Sequence, residues 1–276
     1  MLSSLIRSAT IDSCFFKIFC YNVNVGFLNY FLKNITHKFM LDQNFWKKYF
    51  EVYDTWNLVS AYQESLDAII EEADIKDGDL VLDAGCGTGN FEMRLRKNPD
   101  LKVKIVGQGH SQAGLDAYKK KIKNAKLVLA DLEEKLPFPD NHFDVIICHN
   151  SLCAVRYGKR TEVLRELRRI LKPGGKIVVS NLKHGWSPKY IFINDIKRKL
   201  RSLGFFKTIF LLFKHFSPTM QMYRCNREIL REAEKGNLRF MDEEEIARKL
   251  EKVGFYNISP DNFIYAKQAI MNSAEK

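Results

Sequence analysis

The sequence has no CxxC pair, no apolar run long enough to cross a bilayer, and no internal repeat or low-complexity tract. Its six cysteines (Cys14, Cys20, Cys86, Cys148, Cys153 and Cys225) are scattered, which suggests neither a disulfide framework nor a zinc site and predicts a reducing, cytoplasmic setting without a metal. Acids are scarce at the start, where Asp12 stands alone against Arg7, Lys17, Lys33 and Lys38 among interleaved phenylalanines and tyrosines. Lys17, Asn22, Asn24 and Asn29 interrupt that stretch, so it reads neither as a secretory signal nor as a membrane span. An amphipathic basic arm over 1–45 and an organellar transit peptide both stay open.

What is present is an ordinary globular composition, 46% hydrophobic and 28% charged over 276 residues, enough to bury a core unaided. The formal net charge of +11 favours an anionic partner, whether phosphate, acidic lipid surface or anionic substrate. Apolar spacing predicts a helix from about Asn57 to Ile75. Short apolar runs follow at Leu80–Leu82, Val103–Val106, Ala125–Leu129, Phe143–Cys148 and Lys176–Val179, with helical segments between them. Strands alternating with helices predict a parallel α/β sheet. Arg160–Leu171 is a helix with one apolar face, closed by a tight turn at Lys172-Pro173-Gly174-Gly175. Asp242 and Glu245 match a capping box, Gly254 stops that helix, and Phe255–Ser259 with Asn262–Ile270 reads as a strand pair joined at Pro260-Asp261. The expected fold is a Rossmann-like, seven-stranded, mostly parallel sheet with helices on both faces, plus a helical cap and an N-terminal helical arm. Its parts are the arm (1–45), the core (46–185), the cap (186–240) and a C-terminal helix with strand pair (241–276).

The chemistry concentrates in VLDAGCGTGN at 81–90, where a buried strand ends at Asp83 and runs through Gly85, Cys86, Gly87 and Gly89 into a helix. Glycines without a Cβ permit the tight turn and let a ligand touch backbone, and the helix start offers free N–H groups. This unit resembles motif I of class I S-adenosylmethionine-dependent methyltransferases, and the resemblance runs from about Asn57 to Asn181. It implies that the loop packs on the amino-acid part of S-adenosylmethionine, and that in ADLEEKLPFPDNHFDVIICHNSL (130–152) Asp131 accepts the adenine amino group beside Leu132. Asp131 as a plain turn cap is the other reading. ILKPGGKIVVS (170–180) is similar to the entry of that family's fifth strand.

One position departs from the pattern. In IVGQGHSQAGL (105–115) the resemblance calls for an acid on the ribose hydroxyls, and Gly109 stands there. Gln108 is the candidate substitute, since an amide both accepts and donates, with His110 on its other side; a solvent-facing Gln108 is the alternative. Candidate bases near the strand ends are His184, Tyr157 and His149 with Asn150, the last two also lining the cofactor site; a structural His149 stays open.

After the fourth strand the chain has His149-Asn150-Ser151-Leu152 rather than Asn/Asp-Pro-Pro-aromatic, and Leu152 precedes Cys153, so neither amino nor C5 methylation of nucleic acid is expected. LPFPDNHFDVII and RFMDEEEIARKLEKVGF resemble the ubiquinone/menaquinone-type C-methyltransferase branch, which implies a small, apolar or lipid-like acceptor. The cap adds basic and phenylalanine-rich stretches that fit peripheral contact with anionic membrane. The alternative is a non-catalytic member of the fold serving as a membrane- or protein-binding module.

Overall fold

The computed structural model describes residues 41–276, and the N-terminal arm expected over 1–45 lies almost wholly outside them. Its first elements are helix α1 (Gln43–Val52), a 3-10 turn at Tyr53–Leu58, and helix α2 (Ser60–Ala73). The alternating core then runs β1 (Leu80–Ala84), α3 (Asn90–Leu95), β2 (Lys104–Gly109), α4 (Gln112–Lys121), β3 (Lys126–Leu129), β4 (Phe143–His149), α5 (Arg160–Ile170) and β5 (Leu171–Leu182). Three helices follow, α6 (Pro188–Leu203), α7 (Phe205–Lys214) and α8 (Phe216–Glu234), before α9 (Glu245–Lys252), β6 (Asn262–Ile264) and β7 (Ala269–Glu275) close the domain.

The seven strands lie in the order β3-β2-β1-β4-β5-β7-β6; β1 to β5 pair in parallel, while β7 enters antiparallel between β5 and β6. Alternation along the strands divides the apolar side chains between two cores. On one face Val81, Val145, Ile147 and Val178 meet Leu66 and Ile69 of α2; on the other Leu82, Ile146, Ile177 and Val179 meet Leu164 and Leu167 of α5 and Leu250 of α9. All the β1–β5 parallel strands deliver their C-terminal ends to one edge, where open α/β sheets bind ligands.

Two local expectations are corrected. Phe255–Ser259 is not a strand: Tyr256 makes a single bridge to Glu275, and the hairpin reverses at 265–268 instead of at Pro260-Asp261. Tyr265, Ala266 and Lys267 all take positive φ there, and with no glycine among them the turn carries no sequence signature. The Lys172–Gly175 turn is absorbed as an irregularity in β5, whose register shifts opposite Phe143–Val145. The α6 face of Ile193, Leu200 and Leu203 points outward, because Ile191 and Asp195 occupy the buried side.

Half of the expected capping box forms, with the Glu245 carboxylate accepting from the Asp242 N–H at 3.2 Å. No described helix is long and apolar enough to cross a membrane.

Candidate functional site

The loop after β1 holds Gly85, Gly87 and Gly89 at φ of +81°, +52° and +81°. Two of them are also pressed by neighbours: a Cβ on Gly85 would fall 2.0 Å from Ser151 Oγ, and one on Gly89 would fall 2.4 Å from the Tyr118 ring. Gly87 differs, since the nearest atom to its would-be Cβ is Phe50 Cε1 at 3.4 Å. The loop is thus packed from below at both ends and faces α1 at its middle. The Thr88 hydroxyl donates to Asp54 at 2.6 Å, which fastens the 53–58 turn to the same loop.

Asp83 ends β1 buried, and its Oδ2 has no hydrogen-bond partner among the described residues. Burial, assisted by Glu92, raises its pKa to about 8. A buried carboxylate beside a glycine cradle wants a cation, and an amino acid's α-ammonium satisfies both halves of that arrangement.

Gln108 is fully buried and both ends of its amide are taken: Oε1 accepts from the Gly85 N–H at 3.1 Å, and Nε2 donates to the Ala130 carbonyl at 2.5 Å. The expected ribose ligand is therefore a brace between the loop and the end of β3. Its neighbour Gly109 has a negative φ; a Cβ there would lie 3.2 Å from Leu115 Cδ2 and 3.6 Å from Cys86 Sγ. His110 stands at the rim with its ring edge-on to Trp46, 5.3 Å between centroids, and burial lowers its pKa while Asp131 pulls the other way. Asp131 itself accepts from the Glu133 N–H at 2.9 Å, the turn-capping contact that was the alternative reading, while Leu132 is buried.

The candidate bases separate. His149 is held at both ring nitrogens, with Asn150 Nδ2 donating to Nε2 at 3.2 Å and Nδ1 bonded to Ser180 Oγ at 2.7 Å. Burial pushes its pKa down to about 4, so it is a neutral positioning group rather than a base. It turns the Asn150 amide so that Oδ1 is buried without a partner. Tyr157 lies under the cations of Arg160, Arg239 and Lys249, at 5.3, 4.3 and 4.9 Å from its ring centre, and none of these belongs to the loop. His184 is exposed after β5, and its backbone N–H donates to the Met241 carbonyl at 2.8 Å.

Sequence reasoning missed an aromatic wall. Tyr49, Tyr53, Trp56, Tyr62 and Tyr265 form a chain of ring contacts 5.3–6.4 Å apart, Phe192 of α6 stacks on Trp56, and Tyr62 lies 6.0 Å from the His149 ring. Within it, Tyr265 Oη is buried and unpartnered. The three- and four-residue spacing of Phe45, Tyr49, Trp56 and their neighbours was the available signal for the N-terminal half of this wall. Among the described residues no group of His, Cys, Asp or Glu is arranged to hold a metal.

Comparison with known proteins finds relatives in sequence and in fold. The methyltransferase domain family matches residues 81–175. The demethylmenaquinone methyltransferase of Staphylococcus aureus is 27% identical over 233 residues, covering 80% of this chain and 86% of that protein. Two solved structures share the fold: an S-adenosylmethionine-dependent methyltransferase from Thermotoga maritima (20% identity, TM-score 0.55, covering 84% of this chain and 98% of that one) and one from Aquifex aeolicus (18%, 0.51, 80% and 92%).

Proposed function

Starting from a chain that carries a class I S-adenosylmethionine-dependent methyltransferase domain and uses that cofactor, we propose that it methylates a small, planar, largely apolar acceptor. The observation that carries this reading is the aromatic wall at the strand ends, with two unpartnered polar atoms at it: Tyr265 Oη within the wall and Asn150 Oδ1 beside His149, whose ring meets Tyr62. Rings suit a flat apolar molecule, and a hydroxyl with an amide oxygen suits a ring bearing one or two oxygen substituents. Distant similarity to a demethylmenaquinone methyltransferase supports the same acceptor class.

The residues that would hold the cofactor are Asp83 at its ammonium, the Gly85–Gly89 loop with Cys86 along its amino-acid part, His110 and Gly109 near the ribose, and Asp131 with Leu132 at the adenine. Bound there, it supplies an electrophilic methyl group on a sulfonium. Transfer of that kind is an in-line displacement, so the protein's task is alignment and exclusion of water. Asn150, fixed by His149 and Ser180, orients a donor group of the acceptor; the buried tyrosines stay neutral, Tyr62 with its pKa pushed to about 12 by burial. A phenolic or enolic carbon nucleophile loses its proton after attack, which relaxes the demand for a strong base.

The test is methyl transfer from labelled S-adenosylmethionine to short-chain naphthoquinols and phenols against a panel of primary amines. Quinols are expected to react, with Tyr265→Phe and Asn150→Ala each lowering turnover about tenfold, the scale of one lost hydrogen bond to a buried polar group. Turnover confined to amines overturns the acceptor reading.

A further inference from the structure

We propose that α6 and α7, with the first residue of α8, form a docking surface for an anionic membrane. α7 is inside out, and α6 is so in part, since it keeps Ile191 in the core but turns other apolar residues outward. α6 buries its charged Asp195, which accepts from the Ser60 N–H at 2.9 Å and pairs with Lys199, itself donating to the Leu58 carbonyl at 2.6 Å. Its apolar stripe of Ile193, Leu200 and Leu203 faces outward. α7 buries a single residue, Thr208, whose hydroxyl donates back to the Gly204 carbonyl at 2.7 Å. Its rings face solvent, Phe206 at 87% and Phe213 at 85% exposure, with Phe205 and Phe210, and Phe216 at the start of α8, also exposed.

Five exposed phenylalanines within twelve residues mark an interaction site. The charges around it choose the occupant. From 186 to 227 the sequence has nine lysines and arginines and one acid, and that acid is the buried Asp195. Two copies of such a patch would bring like charges together, whereas a lipid surface bearing negative headgroups satisfies both its charge and its phenylalanines. Ten residues make α7 too short to span a bilayer, so it would lie in the interface. The surface reaches the site, because Phe192 of α6 stacks on Trp56 with rings 12° from parallel and 5.6 Å apart. This inference stands on the surface alone and does not depend on the acceptor class.

Co-sedimentation of the whole chain with vesicles of phosphatidylcholine, with and without phosphatidylglycerol, at low and high salt tests it. Binding is expected to the anionic vesicles and to weaken with salt. Phe206→Ser with Phe213→Ser should reduce that binding by about tenfold or more at unchanged melting temperature and unchanged affinity for S-adenosylhomocysteine. Lys207→Glu with Lys214→Glu should do so for anionic vesicles only. Three results overturn the proposal: no binding to either vesicle, wild-type binding by the phenylalanine double variant, or a concentration-dependent dimer that this variant abolishes, which would make the patch a self-interface.

Discussion

Gln108 and Gly85 are joined by a hydrogen bond of 3.1 Å from the backbone N–H of the glycine to the side-chain oxygen of the glutamine. With the opposite end of the amide on Ala130, one buried side chain ties the glycine loop to the sheet. Replacing it by alanine leaves the Gly85 N–H its 2.8 Å bond to the backbone carbonyl of residue 108 but takes the side-chain donor from the Ala130 carbonyl and unties the loop from β3, so Gln108→Ala should cost about 1 kcal/mol of stability and weaken S-adenosylhomocysteine binding several-fold. Thermal melts of the unliganded protein discriminate this from a ribose contact, whose loss would leave the melting temperature unmoved.

Gly109 is the place where the ribose acid is absent. The 3.2 Å approach to Leu115 requires that side chain to give by a few tenths of an ångström, and the backbone φ there needs no glycine. Gly109→Asp should therefore fold, and its carboxylate should keep or tighten cofactor binding, by up to about tenfold for a charge-assisted bond. Titration calorimetry with S-adenosylhomocysteine reads the outcome, and loss of binding would show that the space at 109 is used for something other than a missing acid.

Gly87 and Gly89 should respond differently to the same change. Gly89→Ala drives a methyl into the Tyr118 ring, which cannot retreat because its hydroxyl bonds the buried Glu92, so the melting temperature should fall by several degrees. Gly87→Ala meets only ordinary contact with Phe50, so the protein should fold with a modest loss from its positive φ while cofactor affinity drops about tenfold or more. Equal effects on stability and affinity at both positions would remove the distinction.

Asp83 predicts how cofactor binding depends on pH. With its pKa raised to about 8, it is protonated in the free protein at neutral pH, and a cationic partner would draw the proton off. Binding should release a proton, and affinity should climb from pH 6 and level off above about 8; calorimetry in buffers of different ionisation enthalpy measures the release. The sign for folding is opposite. The folded pKa exceeds the unfolded value of about 4, so this group's contribution to stability is full below that value and is lost as pH rises through about 8. Asp83→Asn should flatten both profiles.

Much of this was legible before the structure, for reasons that can be named. The strand–Asp83–glycine unit is readable because backbone geometry there dictates residue type: positive φ at three positions and a ring against Gly89 leave little choice. The two cores follow from apolar runs between turn signals. Gln108 was misread because its partners are backbone groups of Gly85 and Ala130, distant in sequence, which leave no pattern along the chain. His149 and Tyr157 were considered for their chemistry, yet their neighbours decide: Ser180 and Asn150 occupy one, and three cations surround the other. The aromatic wall escaped for a similar reason, as Tyr62 and Tyr265 stand two hundred residues apart and meet only when β7 enters the sheet.

That late strand has a consequence for how the chain folds. β7 lies between β5 and β6, pairing Lys176 with Glu275 and Leu182 with Ala269, so the sheet closes across loops of nearly a hundred residues. Pairing over such distances is slow, and until residues 269–275 arrive β5 has an open side. An apolar strand left in that condition is a template for pairing between molecules. Refolding should thus be limited by the docking of β7 rather than by the helices, and yield should fall with protein concentration while that step is pending.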